Sequence, residues 1–238
     1  MERENLMNPY SVESQGRTLA FATLMKNVYL WMTLALAVTG LTAAYVAMNP
    51  GWVYAIATNS VLFFGLIIAE LAVVMILSAR IARLSFATAG LMFAAYSVLN
   101  GVTLSVIFLA YTMSSIATTF FVTAGTFGAM TLVGYTVKKD LSAMGRVLIM
   151  ALIGLIIASI VNMFVASSAL DWAITYIGVL VFVGLTAYDT QKIKQMMLMH
   201  GDEVNDGTMK LALMASLTLY LDFINLFLYL LRIFGRRE

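Results

Sequence analysis

The residues best suited to chemistry are charged side chains that lie inside long apolar segments. Four of them stand out: Glu70, Asp189, Asp222 and Arg232. A charge in the middle of a membrane helix costs about 2.5–3.5 kcal/mol on insertion scales, so such residues usually bind protons or ions or pair with one another. For Glu70 the alternative is a single protonated carboxyl group that is hydrogen-bonded to a neighbouring helix.

A polar stripe follows the last apolar segment. Its members are spaced by four, three, four and three residues: Thr218, Asp222, Asn225, Tyr229 and Arg232. This spacing places them on one face of a helix. Lipid would leave the polar groups without hydrogen bonds, so the face should contact protein or water and the helix should lie centrally. The alternative is a polar seam that holds helices together, worth about 0.6 kcal/mol per hydrogen bond on average in membranes.

Asp189 lies at the end of the sixth apolar segment, three residues before Lys192. Alone, it is typical of a solvated residue at the membrane surface. If it meets Asp222, the two carboxyl groups can share one proton and form a pH-dependent latch. Asp222, however, lies twelve residues after Lys210, which is about 18 Å along a helix. The pair therefore requires the first turns after Lys210 to lie outside the hydrocarbon.

These residues belong to a chain of 238 residues that is 62% hydrophobic and 11% charged. A soluble domain has about 45–50% apolar and about 25% charged residues. The apolar residues form seven segments that can each cross a core of about 30 Å: roughly 24–47, 57–79, 86–110, 115–137, 147–168, 172–190 and 211–234. Since a backbone in lipid must satisfy its own hydrogen bonds, all should be helices. We predict an all-α membrane protein with a cytoplasmic tail (1–23), a seven-helix domain (24–238) and a polar cytoplasmic connector (191–210).

Basic residues are concentrated in every second connection between the apolar segments. Eleven of the fourteen lie before or at the start of the first segment or after the second, fourth and sixth, and the connections 48–56, 111–114 and 169–171 contain none. The positive-inside rule then predicts a cytoplasmic amino terminus. Arg232, Arg236 and Arg237 break the pattern, so the last segment either crosses or is re-entrant. We favour crossing, because the segment is long enough and contains no Gly or Pro.

Composition excludes several classes of function. The absence of cysteine excludes disulfides, thiolate metal sites and a cysteine nucleophile, and a single histidine excludes a histidine metal cluster. A net charge of +2 gives no basic patch for nucleic acid. The seven segments leave no room for a soluble catalytic domain, so we expect no enzyme and no cofactor. Gly125, Gly128 and Gly134 in the fourth segment predict close helix packing.

Two motifs in this sequence resemble those of the Bax inhibitor-1 family, which is also called the transmembrane Bax inhibitor motif family. LYLDFINLFL at 219–228, with LLRIFG at 230–235, resembles the carboxyl-terminal signature, and YDTQK at 188–192 resembles the second motif. The resemblance covers residues 20–238 and is closest to the bacterial inner-membrane branch. It implies a fold in which the seventh helix is surrounded by the other six.

The resemblance also implies a calcium leak that is gated by pH. Asp189 and Asp222 match the two aspartates of the family's cytoplasmic pH sensor, and they are the residues that could contact calcium. A basic residue at the end of the second helix exchanges with this pair in the family. Arg80 and Arg83 lie in that region, and either could be the one in register.

Other positions match a further charge pair or an ion path. Glu70 and Arg232 match an acidic and a basic residue that pair towards the opposite face in the family. A conducting path would be lined by Asp222 and Glu70. Asn225, which follows Asp222 on the polar stripe, would line the same path. Calcium, as the transported ion, suits these oxygen ligands, and no softer ligand is present.

Two functions therefore compete for this chain, placed in a bacterial inner membrane. The first is a pH-sensitive calcium leak channel. The second is a non-transporting regulator that binds another membrane protein, such as the membrane-anchored ATP-dependent protease that a bacterial branch of the family modulates, with the tail from Arg3 to Arg17 as a handle. An intramembrane protease is a weaker third class, because only the residue types of Asp189 and Asp222 favour it. Calcium flux in liposomes separates the first two functions.

Overall fold

The protein is a bundle of helices in the computed structural model, which describes residues 9–201 and 203–236 and side chains from Gly16 onwards. The α-helices are α1 Pro9–Ala47, α2 Pro50–Thr58, α3 Ser60–Arg80, α4 Phe86–Leu104, α5 Met113–Thr136, α6 Ser142–Val165, α7 Ser168–His200 and α8 Asp206–Phe234. Two short 3-10 helices, Ile81–Arg83 and Ser105–Leu109, follow α3 and α4. All of the α-helices except α2 are long and apolar enough to cross a membrane. The prediction of seven spanning helices is confirmed.

Short polar connections set where the helices begin. Side chains at five helix starts each accept a hydrogen bond from a backbone N–H of the first turn: Asn59, Ser85, Thr112, Ser167 and Asn205. A helix start leaves such N–H groups without partners inside the helix, and a side-chain cap supplies one. The chain can therefore reverse direction within a few residues.

The connector between α7 and α8 is shorter than the predicted range of 191–210. Helix α7 continues to His200, and α8 begins at Asp206 after a capping box in which Asn205 and Thr208 bond each other's backbone N–H groups. Polar residues mark the edge of the hydrocarbon, whereas a helix can continue into water because its hydrogen bonds are internal. Only residues 201–205 connect the two helices.

The first helix also extends beyond its predicted limits. It begins at Pro9, inside the range 1–23 that was predicted as a tail, and proline is favoured in the first turn of a helix because its missing N–H has no partner there. Residues 1–8, which include Arg3, lie outside the described residues. The proposed handle from Arg3 to Arg17 is therefore described only in its helical second half.

Helix α8 is the most buried of the seven spans. In its most apolar stretch 61% of the residues are buried, against 6% in α3 and in α6. It packs closely along α7, α1, α5 and α4. The predicted ring of six helices is not confirmed: within the described residues α8 meets the end of the second span mainly through Ile81–Arg83, and α6 packs closely on α7 but not on α8. Lipid can cover α3 and α6 because their side chains are almost uniformly apolar.

The two ends of α8 lie at opposite ends of the bundle. Near its start, the Lys210 ammonium donates to the Leu84 carbonyl between α3 and α4 at 3.1 Å. Beyond its end, the Arg236 N–H donates to the Ser115 hydroxyl at the start of α5, at 2.8 Å. The helix is unbroken between these points, so the structure has the crossing arrangement and not the re-entrant one.

One of the three glycines predicted to mediate close packing does so. A Cβ atom on Gly134 would lie 2.9 Å from the carbonyl carbon of Ala187 in α7. Gly125 and Gly128 have no atom within 4 Å of the same position, so the prediction is wrong for them. Gly125 lies nine residues, or about two and a half turns, before Gly134 and therefore occupies the opposite face of α5.

Replacing Gly134 with Ala should destabilise the protein. The added Cβ meets the backbone of α7, which cannot yield without separating α5 from α7, and such overpacking costs about 1–3 kcal/mol. Gly125→Ala on the same helix is the matched control, and it should be neutral or stabilising by up to about 1 kcal/mol because Ala favours helices. Thermal unfolding in detergent measures both, and equal Tm values would contradict the packing argument.

The orientation of the bundle in the membrane is a separate prediction. The chain contains no cysteine, so single cysteines at Glu203 and Arg236 can be labelled without background. A membrane-impermeant maleimide should label Arg236→Cys in intact cells and Glu203→Cys only after permeabilisation. The reverse result would contradict the positive-inside assignment, and equal labelling would contradict the crossing of α8.

Candidate functional site

The side chains of Asp189 and Asp222 meet between α7 and α8. Their carboxyl groups lie within hydrogen-bonding range of each other, and the Asp222 side chain is buried while Asp189 is half-buried. Asp189 lies eleven residues before the end of α7, about 16 Å, and Asp222 lies sixteen residues after the start of α8, about 24 Å. Because both helices extend beyond their predicted limits, the two aspartates can meet several turns away from the connector.

One oxygen of this pair has no partner. Asp222 Oδ2 is buried and accepts no hydrogen bond from any of the described residues. Buried polar atoms are almost always paired, so an unpaired one marks a place for a proton, a water molecule or an ion. Two adjacent carboxyl groups also favour holding one proton between them, because two charges in contact repel each other.

A cavity of about 420 Å³ opens onto the pair, between α6, α7 and α8. Its wall on α6 is apolar. Apart from the two aspartates, its polar lining consists of Tyr188, Lys192, Thr218, Asn225 and Tyr229. Four of the five residues of the predicted stripe thus line one cavity, and the fifth, Arg232, lies beyond it. The polar face of α8 therefore meets an internal space at this height and not the lipid.

Two polar side chains of α8 leave acceptor oxygens free in the cavity. The Asn225 amide donates to the Leu221 carbonyl at 2.8 Å, and the Thr218 hydroxyl donates to the Met214 carbonyl at 3.2 Å. These bonds use donor hydrogens within α8 and leave side-chain oxygen lone pairs unused. A cavity with carboxylate, amide and hydroxyl oxygens suits a hard cation such as calcium. Within the described ranges, no three acidic, histidine or cysteine side chains cluster to hold a resident metal ion.

Lys192 is the cation beside the aspartates. It follows Asp189 by one helical turn, lines the same cavity and interacts electrostatically with Asp189. Its ammonium lies 5.9 Å from the centre of the Tyr188 ring, and it forms no ion pair within 4.0 Å with the described aspartates. The sequence interpretation used Lys192 only as a marker of the membrane surface, although a spacing of three residues places it on the same helix face as Asp189.

Arg80 and Arg83, the predicted exchange partners, do not contact the pair. Both are exposed at the end of the second span, whose 3-10 segment lies against the start of α8 near Thr208 and Leu211. That part of α8 lies eleven to fourteen residues before Asp222, or about 16–21 Å along the helix. The arginines are therefore at the level of the first turns of α8, not at the level of the aspartates.

Glu70 belongs to a separate polar cluster between α3 and α4. Its carboxylate accepts hydrogen bonds from Asn100 Nδ2 at 3.2 Å and from Thr103 Oγ1 at 2.5 Å. The oxygen of the Asn100 amide in turn accepts from the Tyr220 hydroxyl at 3.1 Å. These contacts agree with the alternative interpretation of Glu70, a carboxyl group bonded to a neighbouring helix. The structure does not place it in the cavity beside Asp222.

Tyr220 joins this cluster to the centre of the bundle, and sequence reasoning missed it. The residue is fully buried, and its hydroxyl lies 2.7 Å from the Thr39 hydroxyl of α1. Its ring packs edge-on against Phe93 and Tyr96 of α4, with centroids 5.7 Å apart in each case. A buried tyrosine hydroxyl nearly always has a hydrogen-bond partner. A tyrosine in the middle of an apolar segment therefore indicates a polar partner on another helix, and this was the signal in the sequence.

The predicted pairing of Glu70 with Arg232 is not found. Arg232 Nη1 instead forms an ion pair with Asp171 Oδ1 at 3.2 Å, and both side chains are about half exposed. Arg232 lies twelve residues after Tyr220, the residue nearest to the Glu70 cluster on α8, which separates the two charges by about 18 Å along the helix. Asp171 lies in the first turn of α7, beside the last turn of the antiparallel α8.

Comparison with known proteins shows similarity over nearly the whole chain. A family model described as inhibitor of apoptosis-promoting Bax1 matches residues 22–238. The inner membrane protein YbhL of Escherichia coli K12 is 54% identical over 220 residues, which cover 91% of this chain and 92% of that protein. An uncharacterized protein of Deinococcus radiodurans is 44% identical over 228 residues, with coverages of 94% and 96%.

Replacing Tyr220 with Phe should lower the stability of the protein. The change keeps the ring packing but removes the hydroxyl, which leaves the Asn100 oxygen without its donor at a cost of about 1–3 kcal/mol. Thermal unfolding in detergent measures the effect. Tyr176→Phe is the control, because Tyr176 is 54% exposed on α7 and should tolerate the change. Equal Tm values for the two variants would show that the hydroxyl network adds no stability.

Proposed function

Because the chain belongs to the Bax inhibitor-1 family, we propose that it is a pH-sensitive calcium leak of the bacterial inner membrane, gated by Asp189 and Asp222. The observation that supports this proposal most strongly is the contact of the two carboxyl groups at the wall of an oxygen-lined cavity inside the bundle. Carboxylates cost several kcal/mol each inside a membrane, which favours a functional role for the pair.

The proposed latch depends on the number of protons that the pair holds. With one shared proton, the carboxyl groups attract each other and hold α7 against α8. When pH rises and the proton leaves, two negative charges face each other in a poorly solvated site, and their repulsion separates the side chains. Lys192, one turn from Asp189, then neutralises one of the carboxylates. It takes the role that was predicted for Arg80 or Arg83, because it already lines the cavity.

Calcium would pass as cargo through this cavity. The two carboxylates and the oxygens of Thr218 and Asn225 offer hard ligands, but too few acidic groups to retain the ion permanently. A leak requires such weak binding, because an ion that binds tightly cannot leave. Towards the other end, Tyr229 packs so closely on Gly178 that a Cβ there would lie 2.5 Å from its ring. This contact would close the path between the cavity and the Arg232–Asp171 pair.

The test is calcium flux into proteoliposomes as a function of pH. The wild-type protein should transport calcium faster as pH rises, whereas Asp222→Asn should lose this pH response, because Asn can hydrogen-bond but cannot acquire the charge that drives opening. Asp189→Asn should behave in the same way. The double variant should add little to either single change, because the two residues act as a unit.

Asp140→Asn is the matched control. Asp140 is exposed between α5 and α6 and accepts hydrogen bonds from the backbone and side chain of Ser142 at 2.9 and 2.7 Å, which the oxygen of Asn can also accept. Its pH profile should equal that of the wild type. Additive effects of the two cavity variants, or an unchanged profile in Asp189→Asn, would contradict the latch. No calcium flux from the wild type at any pH would instead favour the regulator.

A further inference from the structure

A groove runs between α1 and α5 along a face of α8 that is turned away from Asp222. It consists of two cavities of about 270 and 340 Å³ that share Leu36, Phe120 and Phe223 as lining residues. Helices α1 and α5 do not pack closely against each other in the described part of the chain. The groove therefore separates two spanning helices, and α8 forms its floor.

The groove lies at the depth of the hydrocarbon and has apolar walls. No charged side chain lines either cavity. On α1 the lining extends from Tyr29 to Ala44, which is about 22 Å along the helix, compared with about 15 Å for half of a hydrocarbon core of about 30 Å. An empty apolar space of this size would deprive its walls of van der Waals contacts. In a membrane, acyl chains are the molecules available to fill it.

One end of the groove carries hydroxyl groups without partners. The hydroxyls of Tyr29 and Thr131 belong to its lining residues, are buried, and make no hydrogen bond of acceptable geometry with any of the described residues. The Tyr29 hydroxyl also lies near that of Thr190, a fully buried residue that does not line the groove. At the other end, by contrast, the Thr39 hydroxyl donates to the Ser97 carbonyl at 3.0 Å. The groove therefore offers unused hydroxyl donors at one end only.

We propose that this groove binds one acyl chain of a bilayer phospholipid, with the ester group of the chain at the hydroxyls of Tyr29 and Thr131. An ester carbonyl has acceptor oxygens and no donor, which complements two hydroxyl groups. The chain would then lie along Leu36 and Phe120 and contact Phe223 and Phe227 on α8. Tyr29 lies near Thr190, the neighbour of Asp189, so the ester would lie one residue away from the carrier of one carboxyl group of the pair.

Photo-crosslinking tests this site. The purified chain is reconstituted into vesicles of phosphatidylethanolamine and phosphatidylglycerol that contain a phosphatidylethanolamine with a diazirine in one acyl chain. After illumination, mass spectrometry should locate adducts at Phe223 and Phe227, whose side chains are 3% and 5% exposed and are not accessible to lipid around the bundle. Adducts confined to outward residues such as Leu91 and Leu132 would overturn the proposal.

Two glycines of α5 provide a matched pair of variants. Gly128 lines the groove and Gly125 does not, and neither has an atom within 4 Å of an added Cβ. Gly128→Leu should fill the groove and lower the adduct yield at Phe223 severalfold, whereas Gly125→Leu should leave it unchanged. An equal loss in both variants, or no loss in Gly128→Leu, would overturn the proposal.

A second pair covers the case in which Gly128→Leu does not fold. Gly40 of α1 also lines the groove, and Gly154 of α6 does not, again with open space at both positions. Gly40→Leu should reduce the adducts on α8, and Gly154→Leu should not. Replacing the hydroxyls by Tyr29→Phe together with Thr131→Val should shift adducts away from that end of the groove, which would not occur if the chain were held by its apolar part alone.

Discussion

The contact between Asp189 and Asp222 places two carboxyl groups within the spanning part of α7 and α8, and much of the structure follows from the cost of keeping them there. A carboxylate in a poorly solvated site needs a proton, a counter-charge or a polar neighbour. The surrounding bundle supplies each of these in a small space: the second carboxyl group, Lys192 on the next turn, and a cavity lined by the polar face of α8. The polar stripe and the deep burial of α8 are therefore two consequences of one constraint.

The sequence predicts the parts of this arrangement that depend on the spacing of polar residues and on the free-energy cost of a charge inside a membrane. A spacing of four, three, four and three residues fixes the face of α8 that carries Asp222 and Asn225, and segment lengths fix the number of spans. Helix ends were predicted less well, because polarity reports where the hydrocarbon ends and not where the helix ends. That difference explains why 191–200 and 206–210 are helical and why Asp189 and Asp222 can meet several turns away from the connector.

The sequence could not show which helices contact one another. Lipid and protein interiors are similarly apolar, so uniform segments such as α3 and α6 contain no signal that tells whether they face helices or lipid. The pairing of Glu70 with Arg232 was implied only by the family resemblance, and in the structure each has a nearer partner, Asn100 in one case and Asp171 in the other. Gly125 and Gly128 are a further example, since glycine in a span indicates close packing only where another backbone is near.

Helix α8 links three assemblies that lie on different faces of it. Asp222 faces α7, the Tyr220 hydroxyl bonds to α1 and α4, and Phe223 forms part of the floor of the groove between α1 and α5. Tyr220 and Asp222 are two residues apart and project to nearly opposite sides of the helix, so a movement of α8 away from α7 would press Tyr220 against its partners on α1 and α4. Hydrogen bonds between membrane helices average about 0.6 kcal/mol, whereas two charges 4 Å apart repel each other by about 4 kcal/mol at an effective dielectric constant of about 20. In the proposed latch, the repulsion between two ionised aspartates would therefore outweigh the contacts of Tyr220, and those contacts would return α8 to its position once the pair again shares a proton.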